Sequence, residues 1–227
     1  MTTPSPEPGR HKKTVFLVDD HPLVREWLTN LIHQQPDLKV CGEAETGPHA
    51  LQSILTLKPN VAIVDISLKD GSGIDLIKDL KQACPQVKVL VLSMHEESHY
   101  AERALRAGAR GYIMKRETTK KVVAAIRQVL EGQLYVGETL AATLAARYVS
   151  GSVPPPASPV ELLSDRELTV FEMLGEGRGT RQIAESLGVS IKTVQVYCAR
   201  IKEKLGLASA TELLREAVRW RESRDQC

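Results

Sequence analysis

Aromatic residues make up only 4% of the 227-residue chain, with two Trp, five Tyr and two Phe. Its core must therefore be built from aliphatic side chains. No apolar run approaches the ~18 residues that a membrane-spanning helix needs. Charge of one sign is lacking as well. Thirty Lys and Arg against 28 Asp and Glu leave a formal net charge of +2, so no global basic field advertises a nucleic-acid partner. The four cysteines, Cys41, Cys84, Cys198 and Cys227, are scattered and include no C-x-x-C pair, which excludes the common zinc and redox spacings. The opening "MTTPSPEPGRHKK" has no apolar h-region, so it is not a secretory signal and reads as a disordered leader over residues 1–12. Without a secretory signal the cysteines read as reduced thiols in a cytoplasm, packed as small apolar groups.

What the chain does have is alternation. Between residues 14 and 131, short aliphatic runs ("TVFLVDD", "LKVCGEA", "VAIVD", "VKVLVLS", "GYIMK") alternate with amphipathic stretches at 22–35, 47–57, 72–83, 97–107 and 118–131. The runs are rich in Val and Ile and show little period-2 polarity, as expected of strands buried on both faces of a parallel sheet. Repeated strand–helix units predict an α/β domain with a doubly wound sheet. Residues 132–159 change character: "GETLAATLAARYVS" reads as a short amphipathic helix, and "GSVPPPASP" as a semi-rigid Pro-rich linker. From Ser164 the pattern is helical only. Ser164 with Glu167 and Ser209 with Glu212 have capping-box spacing, and "LGVS" at 187–190 reads as a tight turn.

Chemistry gathers at the strand ends. Asp19 and Asp20 close the first run, Asp65 the third, Ser93 the fourth and Lys115 the fifth. Ligand sites in doubly wound sheets lie beyond the carboxyl ends of the strands. Three carboxylates crowded there would repel one another toward protonation. A divalent cation relieves this, and an all-oxygen donor set suits Mg²⁺. Lys115 is a point charge suited to a phosphoryl oxygen, and Ser93 offers a hydrogen bond. Asp65 is thus a candidate nucleophile that becomes an aspartyl phosphate. Of the histidines, His95 and His99 read as solvated helix-start residues. His21 shows no role beyond preceding Pro22 at a helix start.

These residues, with "LSMHEESHYAERALRAGARGYIMK", resemble two-component response regulators of the NarL/FixJ subclass. The resemblance covers a receiver domain over residues 13–131 and implies a five-stranded, flavodoxin-like sheet in the order 2-1-3-4-5. It implies that Asp65 is phosphorylated. Asp20, Asp65 and the Ser67 carbonyl would ligate Mg²⁺ directly, and Asp19 through water. Ser93 and Tyr112 would form a switch pair beside Lys115, and Ser67 and His95 would line the site. Leu68-Lys69-Asp70-Gly71 stands where receivers usually carry a Met-Pro or Leu-Pro pair.

In the C-terminal part, "TRQIAESLGVSIKTVQVYCARIKEK" has helix-turn-helix spacing, with Val194, Cys198, Ile201 and Leu205 on one stripe. Residues 159–227 hold 11 basic and 11 acidic residues, yet Lys192, Arg200, Lys202 and Lys204 meet only Glu203 across the second helix. Such a strip suffices for phosphate contacts. "LSDRELTVFEMLGEG" followed by that segment resembles a LuxR-type four-helix domain over residues 160–222, with a tail at 223–227. The resemblance places Gln195, Val196 and Ala199 toward bases, and Lys192, Thr193 and Arg200 on phosphates. Many relatives have Lys or Glu where Gln195 stands. It further implies a sensor histidine kinase and double-stranded DNA as partners, and a homodimer on DNA packed through the last helix, where Leu213, Leu214, Ala217 and Val218 would be exposed. The function implied is phosphorylation-regulated transcription control through the helix 192–204, by a cytoplasmic protein that is not an enzyme and has no membrane partner. The alternatives are a Mg²⁺-dependent aspartyl-phosphate phosphohydrolase, disfavoured because Asp65-Ile-Ser67 lacks a second acid, and a receiver with a protein-binding helical domain.

Overall fold

The computed structural model describes residues 12–68, 71–94, 97–138, 140–142, 145 and 159–225. The chain divides into two compact units near residue 143.

Before residue 143 the chain runs β1 (Lys13–Val18), α1 (Pro22–His33), β2 (Leu38–Ala44), α2 (Gly47–Leu57), β3 (Val61–Val64), β4 (Ser67–Leu68), β5 (Gly71–Ser72), α3 (Gly73–Ala83), β6 (Lys88–Ser93), α4 (Glu97–Ala107), β7 (Gly111–Met114) and α5 (Thr119–Leu130), all but β5 belonging to the first unit. Five strands form one sheet in the order β2-β1-β3-β6-β7, with every pairing parallel. Counting only these five, the order is the expected 2-1-3-4-5. The remaining two, β4 and β5, form a small ribbon of their own.

The central strands are buried along their whole length because helices cover both faces. Val15, Leu17, Val61, Ile63, Leu90, Leu92 and Ile113 point to one side and pack with Leu28, Leu31 and Ile32 of α1 and Val122, Ile126 and Val129 of α5. The alternate residues, Phe16, Ala62, Val64, Val89 and Val91, are equally buried and project to the opposite face by the pleat. Each fully buried aliphatic side chain contributes about 1.5–3 kcal/mol, so two-faced burial makes this aliphatic sheet the unit's principal source of stability. Helix starts follow local chemistry, with Pro in the first turn of α1 and α2.

The second unit contains α6 (Asp165–Gly175), α7 (Thr180–Leu187), α8 (Ile191–Leu205) and α9 (Ala210–Asp225), preceded by a 3₁₀ turn at Pro159–Leu162. The Ser164–Glu167 capping box is complete: Ser164 Oγ accepts from the Glu167 N–H and the Glu167 carboxylate accepts from the Ser164 N–H. The 187–190 turn also forms as expected. Gly188 closes α7 at φ 64°, and Ser190 Oγ accepts the Thr193 N–H at 3.1 Å to open α8.

Several expectations are corrected here. At Ser209 only half of the capping box forms. Ser209 Oγ accepts from the Glu212 N–H, but the Glu212 carboxylate reaches past Ser209 to the Ala208 N–H, 2.8 Å away. The expected tail from residue 223 is helical through Asp225, since "RESRD" contains no helix breaker. On α9, Leu213 and Ala217 are buried in the helical core rather than exposed, and only Leu214, at 44%, is markedly open. The cause is close approach to α6. A Cβ on Gly175 would stand 2.6 Å from the Ala217 carbonyl oxygen, and the Phe171 and Trp220 rings meet at 5.6 Å. Of the expected 137–150 helix, Glu138, residues 140–142 and residue 145 are helical. The leader over 1–11, the linker at 151–158, His95 and the loop residues Lys69 and Asp70 lie outside the described residues.

Candidate phosphoacceptor site and candidate nucleic-acid interface

Sheet hydrogen bonding does not stop at the strand ends. The Asp19 N–H donates to the Ala44 carbonyl, the Asp65 N–H to Val18, and the Lys115 N–H to Ser93, at 3.2, 2.8 and 2.8 Å. Each of these three residues is therefore the first peptide beyond its strand, still pinned by the neighbouring strand. This fixes the backbone of the site without a dedicated loop.

Asp19, Asp20 and Asp65 converge with His21, all four ligand atoms lying within 4.8 Å of one another. Asp19 and Asp65 are buried. The Lys115 ammonium bridges them, donating to Asp65 Oδ2 at 2.7 Å and lying 2.6 Å from Asp19 Oδ2. Burial pulls the Lys115 pKa down, but the charges and hydrogen bonds of Asp65 and Asp19 together outweigh it and hold the amine above its ordinary value. Lys115 is thus a fixed cation between two carboxylates. Ser93 and Tyr112 are both buried, at the end of β6 and in the neighbouring β7. Ser67 is half-buried in β4.

Three residues that sequence reading passed over complete the arrangement. His21 Nδ1 lies 3.1 Å from Asp19 Oδ1 and 2.7 Å from Asp20 Oδ1, and only the Asp19 contact has hydrogen-bond geometry. Arg25 is buried; it donates to the Asp19 backbone carbonyl at 2.7 Å and to Glu45 Oε1 at 2.6 Å, with Glu43 Oε1 at 3.7 Å from its Nε. A signal for Arg25 existed, because it shares the inward stripe of α1 with Leu28 and Ile32, a place where a cation needs a reason. Gly73 donates its N–H to the Ile66 carbonyl at 2.8 Å, and a Cβ there would sit 1.9 Å from the Asp65 carbonyl oxygen. Only glycine lets α3 start against the chain that carries Asp65.

On α8, Val194 and Ile201 are fully buried and Cys198 is half-buried, while Lys192, Gln195, Val196, Ala199 and Arg200 are exposed. Residues 192–200 contain no acid, so this face offers two cations, an amide and an apolar methyl pair to solvent. Thr193 is half-buried, its hydroxyl 2.8 Å from Ser190 Oγ. Lys204 departs from expectation. Its ammonium turns inward, 2.6 Å from the buried Glu167 carboxylate and 3.3 Å from the Leu162 carbonyl, so it ties α8 to α6 instead of joining the open face. Among the described residues no disulfide forms; burial pushes the Cys41 and Cys198 thiols up. No described helix is long and apolar enough to cross a membrane.

Comparison with known proteins places both parts of the chain in families. The family model for the response regulator receiver domain matches residues 15–127, and that for bacterial regulatory proteins of the luxR family matches residues 161–217. Oxygen regulatory protein NreC of Staphylococcus aureus (strain JH9) is 35% identical over 209 residues, which is 90% of this chain and 96% of that protein. The chain belongs to the response-regulator family. It is a regulator of the NarL/FixJ type, a receiver joined to a LuxR-type DNA-binding domain. Solved structures resemble it over most of its length. RcsB of Salmonella enterica serovar Typhimurium, bound to promoter rprA in the presence of the phosphomimetic BeF3-, is 25% identical with a TM-score of 0.58, covering 90% of this chain and 98% of that one. A LuxR-family response regulator from Aurantimonas sp. SI85-9A1 is 30% identical with a TM-score of 0.56, covering 61% of this regulator and 99% of its own chain.

Proposed function

We propose that this regulator is a cytoplasmic transcription factor switched by phosphorylation of Asp65, with a sensor kinase's phosphohistidine as donor. The carrying observation is the placement of Asp65 beside Lys115, at 2.7 Å, within the Asp19–Asp20 cluster. Transfer forms an O–P bond at the Asp65 carboxylate as the donor's P–N bond breaks. The ammonium of Lys115, already held between two carboxylates, is placed to take a share of the charge on the incoming phosphoryl oxygens. Ser93 supplies a hydroxyl at the end of the adjacent strand, and Tyr112 is the partner residue of the switch. Arg25 and the continued sheet ladder keep Asp19 in place. The donor set suits a hard dication, which Asp20, Asp65 and the Ser67 carbonyl would hold directly and Asp19 through water. When bound, Mg²⁺ supplies neutralisation of the clustered carboxylates and of the transferred group.

DNA is read by α8. Gln195 is suited to an adenine edge and Val196 to a thymine methyl, with Ala199 beside them; Lys192, Thr193 and Arg200 hold phosphates. The active form is a homodimer on double-stranded DNA, as two RcsB dimers are bound to DNA in a solved structure of that protein. Labelling with a small-molecule phosphodonor tests the phosphoacceptor. The wild-type chain takes up one phosphoryl group and Asp65→Asn takes up none; undiminished labelling of the variant refutes the assignment. The same preparation is expected to show no turnover of small phosphate esters, which separates a regulator from a phosphohydrolase.

A further inference from the structure

Arg25 holds both ends of the turn that carries Asp20. Asp19, Asp20 and His21 join β1 to α1. At the far end of this turn, the backbone N–H groups of Val24 and Arg25 donate to the His21 carbonyl at 3.1 and 3.3 Å. At the near end, the Arg25 guanidinium donates to the Asp19 carbonyl at 2.7 Å. The N–H of the same Asp19 donates to the Ala44 carbonyl at 3.2 Å. Glu45, the residue after Ala44, in turn accepts from Arg25 at 2.6 Å. The bonds thus close a ring from Ala44 to Asp19, to Arg25, to Glu45 and back. Asp20 lies between the two carbonyls that Arg25 grips.

Stability alone is a poor reason for this arrangement. Arg25 is buried, whereas the carboxylates that answer its charge, Glu43 and Glu45, are about half exposed. Its Nε is also buried and has no hydrogen-bond partner, with Glu43 Oε1 3.7 Å away. A buried donor left unbonded lowers stability. The planar fork is therefore placed for its two anchors rather than for the most bonds. Within the turn that the fork holds, Asp20 Oδ1 is buried and accepts no hydrogen bond among the described residues, an oxygen that a hard dication would satisfy.

Charge and position give opposite signs. As a cation near the acid cluster, Arg25 repels a dication, and its removal would tighten Mg²⁺ binding. As a clamp, it presents Asp20 ready for the ion, and its removal would loosen binding, as loss of outer partners that orient metal ligands does. Glu43 and Glu45 decide between the two, because their carboxylates lie against the guanidinium and offset its field. We infer, resting on the reading of the acid cluster as a Mg²⁺ site, that Arg25 is a positioning residue which raises Mg²⁺ affinity by fixing the turn around Asp20, with Glu45 as its anchor.

The experiment uses the full chain. Calorimetry gives Mg²⁺ affinity, thermal melting reports the fold, and a small-molecule phosphodonor gives uptake at low and at saturating Mg²⁺. Arg25→Met should bind Mg²⁺ roughly tenfold more weakly than the wild-type chain. Its uptake should be slow at low Mg²⁺ and recover at saturating Mg²⁺, a split that a general loosening of the fold would not produce. Glu45→Ala, at an exposed carboxylate, should lose affinity in the same direction and by less. Glu45→Gln keeps an acceptor oxygen for the guanidinium and gives up the charge, so it should match the wild-type chain. Unchanged or tighter Mg²⁺ binding in a folded Arg25→Met overturns the inference and leaves the cation site standing, as does an uptake deficit that persists at saturating Mg²⁺. Equal losses in Glu45→Gln and Glu45→Ala overturn it too, because charge rather than anchoring would then be at work. If Arg25→Met fails to fold, Glu45→Ala decides alone, and wild-type affinity there overturns the inference. A wild-type chain that binds no Mg²⁺ removes the cation site itself and the inference with it.

Discussion

Gly73 approaches the backbone of Asp65 so closely that a single added methyl carbon would lie 1.9 Å from the Asp65 carbonyl oxygen. The start of α3 and the strand end that carries the acid are thus packed backbone on backbone, and neither can move without the other. Gly73→Ala is expected to push the Asp65 segment out of register with Lys115. Overpacking of this kind costs about 1–3 kcal/mol. The variant should melt several degrees lower and take up phosphoryl label more slowly. A variant with unchanged melting and labelling would show that the segment is far more pliable than this contact implies.

Lys115 compensates two buried carboxylates, so its removal should make the site hungrier for cations. In Lys115→Met, Asp19 and Asp65 keep their repulsion and lose the cation that bridges them. Mg²⁺ is therefore expected to raise the melting temperature of the variant more than that of the wild-type chain, by linkage to binding, while labelling falls. Equal shifts in the two proteins would count against a shared site. In the wild-type chain the raised Lys115 pKa stabilises the fold fully below the amine's unfolded pKa of about 10.4. That contribution fades as pH rises through the higher folded value.

Glu167 has the opposite sign. Burial raises its pKa, but the Lys204 ammonium and the Ser164 groups outweigh that and hold the carboxyl below its usual range. A depressed folded pKa contributes stability that is present above the unfolded value of about 4.3 and lost as pH falls through the folded one. Glu167→Gln should weaken the helical unit by about 1–3 kcal/mol at neutral pH, with less further loss on acidification. Amide exchange of α6 and α8 between pH 3 and pH 7, in wild type and variant, measures both effects.

The open face of α8 and the inward Lys204 call for different outcomes on DNA. Lys192→Ala and Arg200→Ala should each weaken binding to all sequences alike and lower the salt slope by about one. Gln195→Ala should relax preference at one base pair, at a cost of about 1–3 kcal/mol on the best site. Lys204→Ala should lower the melting temperature through Glu167 and leave the salt slope unchanged. Titrations with duplex DNA at several salt concentrations separate these cases; a reduced slope for Lys204→Ala would return that lysine to the interface.

Strand ends, helices and the acid cluster were readable from sequence because each rests on a periodicity or on a residue type placed at a period's end. Asp19, Asp20, Asp65 and Lys115 all follow aliphatic runs, and burial alone makes a charge there conspicuous. Other features were not readable because they depend on what packs across space. Gly73 looks like one of two loop glycines until α3 lies on Asp65. Leu213 and Leu214 look alike on a helical wheel until Gly175 draws α9 in over the first and leaves the second outside. Lys204 belongs by sequence to a basic strip, and only the buried Glu167, 37 residues away, turns it inward.

The two borders of the sheet are both protected against an added strand. On one border, β2 pairs with β1 through a register shift that leaves Cys41 as the extra residue and carries exposed Lys39 and Glu43. Bulges and charges of this kind spoil a strand as a template. On the other border, Tyr135 returns to β7, its N–H donating to the Arg110 carbonyl and its own carbonyl accepting from Tyr112. Neither rim is left as an open, flat strand to be extended by a neighbouring chain. Both borders thus resist edge-to-edge extension of the sheet, and the peptide ladder that holds Asp19, Asp65 and Lys115 runs within it rather than along a rim.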